Sequence, residues 1–321
     1  MRPPGSPVVV ALGGGHGLAA SLSALRLMSD RITAIVTVAD DGGSSGRLRD
    51  ELDVLPPGDL RMALAALCDD SDWGRTWRDV LQHRFTSSGD LDQHAVGNLL
   101  IVTLWELLDD PVAGLDWVGR LLNARGRVLP MSSVPLRIEA DIQTESGLRT
   151  IQGQSKVGSH PGRIEKLRLI PDDPPACHEA VEAIHTAEWV VLGPGSWFSS
   201  VLPHLLVPEI SDALHRTRAR RCVTLNLESD DIESEGLTAT DHLQVLRNHA
   251  PDLRIDAVVA DPTSVEDVST LADVTAELGA KLLLRQVRRG DGTPRHDPLR
   301  LAAAYRDVFE GVIADVPDRA R

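Results

Sequence analysis

Val8-Val9-Val10-Ala11-Leu12-Gly13-Gly14-Gly15-His16-Gly17 is the stretch that decides the fold. An apolar run led by β-branched valines stops at a glycine cluster, which reads as a strand buried on both faces. Beyond it, Leu18, Leu22, Leu25 and Met28 follow helical spacing, and Ile32-Thr33-Ala34-Ile35-Val36-Thr37-Val38 reads as a second strand. Strand, glycine turn, helix and strand make a βαβ opening, and such units wind right-handed into parallel sheets. Glycines at that junction let backbone approach closely, and the helix's unpaired N–H groups attract a phosphate. Gly13, Gly14, Gly15, His16 and Gly17 are therefore the first candidate ligand residues. Gly15-His16-Gly17-Leu18-Ala19-Ala20 also satisfies G-x-G-x-x-A, with Asp40 about 20 residues further on, which keeps NAD open as a ligand. A Walker-type phosphate loop is excluded, because no Lys-Ser or Lys-Thr follows the glycines.

Directly off the second strand comes Asp40-Asp41-Gly42-Gly43-Ser44-Ser45-Gly46. Two acids, two glycines and two hydroxyls offer carboxylates to a metal or a ribose and donors to an anion. Adjacent residues of an extended chain point opposite ways, so one aspartate is expected to face a ligand and the other to fix the loop. In Pro56-Pro57-Gly58-Asp59-Leu60-Arg61 the acid stands at an expected helix N-cap. Arg61, with Arg47 and Arg49, is the natural phosphate partner, since guanidinium pairs with phosphate through two parallel bonds.

The pattern downstream predicts helices over 60–70, 74–84, 95–108 and 111–123, with Gly97-Asn98 as loop chemistry among them. Between about 127 and 170 it changes to short extended pieces, read as an antiparallel insertion on the edge of the main sheet. The α/β rhythm resumes with strands at 189–192, 222–225, 255–259 and 281–284, each followed by a helical stretch. Gly193-Pro194-Gly195-Ser196 repeats the opening logic after its strand, and Asn226 is a third polar group at a strand end, placed to reach a base or a sugar hydroxyl. Ser196 lacks the G-x-S-x-G elbow of a nucleophile. The other histidines, His296 among them, show no metal spacing and read as surface or capping residues. The expected fold is a single α/β domain over 1–321, Rossmann-like and doubly wound, with a mostly parallel sheet and helices on both faces.

Composition narrows the partners. A net charge of -14 argues against nucleic acid, whose binding rests on clustered Lys and Arg. With aromatic residues at 3%, the core must be built from Leu, Val, Ile and Ala. Cys68, Cys177 and Cys222 are odd in number and lack C-x-x-C spacing, so neither a disulfide framework nor a zinc site is indicated. No stretch reaches the roughly 18 to 20 apolar residues of a membrane helix, and no signal segment is legible, which points to the cytoplasm and to no membrane insertion.

Taken together the motifs resemble the gluconeogenesis-factor (YvcK-like) family, in the superfamily of 2-phospho-L-lactate transferase. The resemblance is carried by Leu12 to Leu18, by Thr33 to Arg49, by Leu55 to Arg61, by Gln82-His83-Arg84-Phe85, by Gly97-Asn98-Leu99, by Gly126 to Pro130 and by Leu192 to Ser196. It implies a Rossmann-like fold that binds UDP-sugars such as UDP-N-acetylglucosamine, with a role in carbon metabolism, peptidoglycan synthesis and cell shape, and self-association as a dimer. It also adds Asn98 to the ligand set, and Arg295 as a partner for a diphosphate, from Arg295-His296-Asp297-Pro298. The transferase relatives imply an alternative, an enzyme in which Asp40 and Asp41 with Mg²⁺ steer attack on an activated phosphate. Three departures stand out: His16 where threonine is usual, Met62 where asparagine is frequent, and the acidic run Leu227-Glu228-Ser229-Asp230-Asp231-Ile232-Glu233 in place of a Met-Thr-Gln-Pro-Gly-Glu-Thr loop.

Overall fold

The structure, a computed structural model, describes residues 6–228 and 237–311. The acidic run beyond Glu228 lies outside the described residues. The opening βαβ unit forms as its pattern requires: β1 (Val9–Gly13), α1 (Gly15–Leu25) and β2 (Ile32–Val36). β1 is buried along its whole length, and α1 buries Leu18, Leu22 and Leu25. Each such leucine contributes roughly 1.5–3 kcal/mol.

The chain then runs through α2 (Gly43–Leu52), α3 (Pro57–Leu67), α4 (Asp72–Gln82), α5 (Val96–Leu108) and α6 (Pro111–Leu121) to β3 (Arg127–Pro130). Residues 137–170 hold β4 (Arg137–Thr144), β5 (Gly147–Gln152), α7 (Gln154–Ser159) and β6 (Arg163–Ile170). Then follow α8 (His178–Thr186), β7 (Trp189–Leu192), α9 (Pro208–Arg216), β8 (Arg220–Thr224), α10 (Ala239–His249), β9 (Ala257–Ala260), α11 (Val268–Glu277), β10 (Lys281–Leu284) and α12 (Pro298–Phe309).

Seven strands pair in parallel in the order β10-β9-β8-β7-β1-β2-β3, and β5-β4-β6 form a separate antiparallel sheet. The expected start of the insertion at 127 is corrected by this pairing. β3 hydrogen-bonds to β2 in parallel and is the edge of the main sheet, so the insertion begins at β4. A four-residue edge strand and the insertion's own strands look alike in sequence.

From β1 the chain steps outward to β2 and β3, then returns to β7 beside β1 and steps outward the other way. Right-handed crossovers in opposite directions place their helices on opposite faces. Accordingly α1 packs on α3 and α12, while α8 packs on α9 and α10 on α11. The reversal lies between β1 and β7, where Leu12 pairs with Leu192. In open α/β sheets such a switch point opens a crevice at the carboxyl ends of the strands.

Two buried side chains fix elements around that point. The Tyr305 hydroxyl on α12 lies 2.7 Å from Ser21 Oγ and 3.0 Å from Thr224 Oγ1, and Ser21 Oγ donates to Gly193 O at 2.9 Å. His204 Nε2 lies 3.1 Å from Ile35 O, and burial pushes its imidazole down to about 4. The three cysteines are buried and unpaired. Among the described residues no helix is long and apolar enough to cross a membrane.

Candidate functional site

The glycine turn after β1 and the Gly193-Pro194-Gly195-Ser196 turn after β7 meet at the switch point. Gly14 caps α1 with extended backbone, and α1's first turn holds Gly15, His16 and Gly17. A Cβ on Gly17 would stand 2.2 Å from Pro194 O and 2.4 Å from Gly195 Cα, so the two backbones touch where a side chain would be. A Cβ on Gly14 would stand 2.5 Å from Thr37 Cγ2 and 2.6 Å from Asp59 Oδ2. Glycine is required at both positions by close approach from either side of the turn.

A cleft of about 730 Å³ opens over these loops. Gly14, Gly15, His16 and Gly17 line one side, and Pro194, Gly195, Ser196 and Asn226 the other. Arg289, Arg295 and His296, from the segment before α12, close one end, and Gln154 and Ser155 of α7 close another. Among the described residues neither Arg289 nor Arg295 has a carboxylate within ion-pair distance. Backbone amides at a helix start and two guanidiniums without a direct ion pair make a polar, anion-accepting surface. Asp291 nevertheless lies near enough to Arg289 to feel its charge, and Glu228, paired with Arg288, also borders the cleft.

Asn226 does not point freely into this cleft, as its sequence position suggested. Its Oδ1 accepts from Gly195 N–H at 2.8 Å and its Nδ2 donates to Gly195 O at 3.0 Å, so the side chain clamps the turn. Ser196 caps the short helical turn that follows, accepting from Ser199 N–H at 3.3 Å.

The Asp40-to-Ser45 block sits behind the glycine turn, outside the cleft lining, so alternation holds only for its loop-fixing half, in Asp41, and neither aspartate borders the cleft. Asp41 Oδ1 accepts from Ser155 N–H at 2.9 Å and Ser155 Oγ at 2.6 Å, tying α7 of the insertion to the end of β2. Substituting Asp41 by alanine is expected to cost about 1–2 kcal/mol, as losing a helix cap does. Hydrogen exchange followed by mass spectrometry should show faster exchange over 154–158, and unchanged protection there would refute the latch.

Asp40 Oδ1 accepts from Gly42 N–H at 2.9 Å, and its neighbour is Asp59. Asp59 is not the N-cap expected of it. α3 starts at Pro57, so Asp59 lies in its first turn, and its carboxylate accepts instead from the Gly15 backbone. Burial first, then the charge of Asp40, push Asp59 up to about 7. Burial likewise raises Asp40 above the usual carboxylate range, against a lowering hydrogen bond from Gly42. The carboxylate pair behind the glycine turn is therefore Asp40 with Asp59, not Asp40 with Asp41. Among the described residues no group of three His, Cys, Asp or Glu gathers as a metal cage.

The hydroxyls of the block are structural. Ser44 Oγ receives Asn98 Nδ2 at 3.0 Å and meets His94 Nδ1 at 3.0 Å, and Ser45 Oγ accepts from Gly58 N–H at 2.7 Å. Gly42 and Gly43 open α2. Asn98 lies inside α5, not in a loop, and its Oδ1 accepts from Arg61 Nε at 2.8 Å. Arg61 also donates to Gln82 Oε1. Arg49 is nearly buried beside Asp41 and Arg137 and does not border the cleft, and Arg47 donates to the Asp90 and Asp92 carbonyls. Gly13 and Gly193 lie behind the lining, at the strand ends.

Sequence reasoning missed three contributions. α7 has no apolar periodicity to announce it. The row Ala19, Ala20 and Ser23 was absorbed into the helix pattern. His296, expected at the surface, is buried against the cleft, its ring pushed down to about 4 by burial.

Comparison with known proteins agrees with this architecture. Residues 9–281 match the family model of 2-phospho-L-lactate transferase CofD. A Mycobacterium tuberculosis (strain ATCC 25618 / H37Rv) protein named "Putative gluconeogenesis factor" is 51% identical over 316 residues, covering 95% of this chain and 90% of the relative. A Listeria monocytogenes protein named "Gluconeogenesis factor" is 34% identical over 330 residues, covering 99% and 98%. The crystal structure of a UPF0052 family member from Bacillus halodurans superposes with a TM-score of 0.84 at 34% identity, covering 93% of this chain and 98% of that one.

Proposed function

Because the chain belongs to the family of 2-phospho-L-lactate transferase CofD, with the gluconeogenesis factors as its relatives, we propose that it is a cytoplasmic regulatory protein that binds a UDP-sugar of the UDP-N-acetylglucosamine type. On this reading occupancy of the cleft reports carbon supply to cell-wall synthesis and cell shape, and no turnover is required. The observation that carries it is the convergence of two glycine turns at the switch point, facing Arg289 and Arg295 across one cleft. A diphosphate there accepts from the α1 amides and pairs with the arginines, while the sugar and base extend along the cleft.

Thermal unfolding with UDP-N-acetylglucosamine, UDP-glucose, NAD and GTP tests it. A ligand at 100 times its dissociation constant stabilises by about 2.7 kcal/mol. UDP-sugars should give the largest shift without release of UMP. A larger shift with NAD would overturn the assignment.

A second reading rests on Asp40 and Asp59. Two carboxylates that repel each other beside the glycine turn suit Mg²⁺, which is usually held by one or two carboxylates together with substrate phosphates. Bound there, the ion would supply charge neutralisation at a phosphate, as in a phospholactate-type transferase. Mg²⁺-dependent product formation with a deazaflavin acceptor would favour this reading over the first.

A further inference from the structure

His16, Ala19, Ser23 and Arg26 are spaced three or four residues apart, so they form one row along α1 and its C-cap. Ala19 and Ser23, in the middle, are small, which makes the row a shallow shelf. One side of the shelf belongs to the cleft already described. The other borders a second pocket, of about 560 Å³, which shares His16, Ala19 and Ser23 with the cleft. α3, α4 and the residues just after them form its opposite wall and bring Arg61, Arg78 and Arg84 to face Arg26.

In a chain of net charge -14, this lining holds four arginines and no carboxylate. Two of the four are compensated from outside the pocket. Arg26 pairs with Asp70 at 2.8 and 3.0 Å, and Arg78 meets Asp79 at 3.2 Å. Among the described residues the other two have no carboxylate within ion-pair distance. Arg84 donates to Gln93 O at 2.8 Å, and Arg61 only to the amide oxygens of Asn98 and Gln82. Arg61 is 3% exposed. A guanidinium taken that far from water and held by neutral acceptors keeps most of its desolvation cost unless an anion joins it. Burial and the neighbouring Arg84 charge bring it down to about 10, while Asp59 and Asp40 act in the opposite sense.

We propose that this arginine-lined pocket is a second anion site, separate from the nucleotide cleft, and that it takes a small polyanionic metabolite carrying phosphate or several carboxylates. The ligand sits over the α1 shelf with its charges toward Arg61 and Arg84, and Arg26 and Arg78 at its edges. Phosphate and carboxylate both match the guanidinium fork, so the probes must separate them. The assignment holds whatever fills the cleft.

Isothermal titration of the full chain with pyrophosphate and with citrate tests it, against the double variant Arg78→Glu/Arg84→Glu. Arg84 is exposed and Arg78 partly so, and thermal unfolding of the variant checks that it remains folded. Saturable one-to-one binding of either anion is expected, and the tighter of the two identifies the ligand's chemistry. Binding should weaken roughly tenfold or more in the variant, as expected for losing charge-assisted hydrogen bonds. UDP-N-acetylglucosamine affinity should change by less than about twofold, because the cleft does not include these side chains. Anion binding of equal strength in both proteins would belong to the cleft and would overturn the proposal, as would no saturable binding of either probe. If the variant loses citrate or pyrophosphate binding while neither protein binds the UDP-sugar, the second site stands and the cleft reading falls.

Discussion

Gly17→Ala is expected to force the two glycine turns apart, destabilising the protein by about 1–3 kcal/mol and abolishing UDP-sugar binding. Helix propensity alone argues the other way, since alanine is favoured over glycine in a helix by about 1 kcal/mol. Sterics decide. The new methyl would lie 2.2 Å from Pro194 O and 2.4 Å from Gly195 Cα, and both are backbone atoms that cannot rotate away. The turn is also held from behind, by Asn226 on Gly195 and by Ser21 on Gly193. Relief must therefore come from α1, whose first-turn amides are the proposed phosphate site. Urea denaturation measures the first effect and the ligand-induced thermal shift the second. A variant with ordinary stability and affinity would mean that the turns do not touch in solution.

The Asp40 and Asp59 pair should make stability fall as pH rises from about 4 to about 7. Asp59 is raised from 3.8 to about 7, so the folded state holds a proton that the unfolded chain has already released in that window. Its stabilising contribution is complete below pH 4 and lost as pH passes through 7. A shift of that size corresponds to at most about 4 kcal/mol. Because Asp59 and Asp40 titrate as a coupled pair, part of that shift belongs to the pair, and the expected change is about 2 kcal/mol. Asp59→Asn should flatten this dependence and make the ligand-free protein more stable than the parent at pH 8. Denaturation midpoints across the pH range settle it, and parallel curves for the two proteins would place the titrating group elsewhere. On the transferase reading, Mg²⁺ should abolish the difference between them as well.

The opening βαβ unit was legible because nothing competes with its pattern: an uninterrupted apolar run can end at Gly13-Gly14-Gly15 only as a buried strand meeting a helix. Alternation separated Asp40 from Asp41, and Asp41 does fix the loop to α7, but the ligand-facing carboxylate it called for is not found at Asp40, which lies outside the cleft lining and accepts from Gly42 N–H. Asp59 as the partner of Asp40 was not, because the two meet only when the first turn of α3 packs against the glycine turn. Asn98 and Ser44 read as ligand groups for a related reason. They are polar residues in motifs, but each is spent inside the fold, on Arg61 and His94 among others. β3 was missed as part of the main sheet since its four residues carry no signal that separates them from the strands after it. α7 depends on a carboxylate supplied from the far end of β2, which no local window contains.

The hydroxyl of Tyr305 has a bearing on how the molecule is made. It joins α12 to Ser21 on α1 and Thr224 on β8, and through Ser21 to the carbonyl of Gly193. A chain emerging from the ribosome presents its N-terminal portions first. Both turns of the crevice will have been synthesised well before the phenol that braces them, so a nascent chain carries an unfinished pocket until α12 docks.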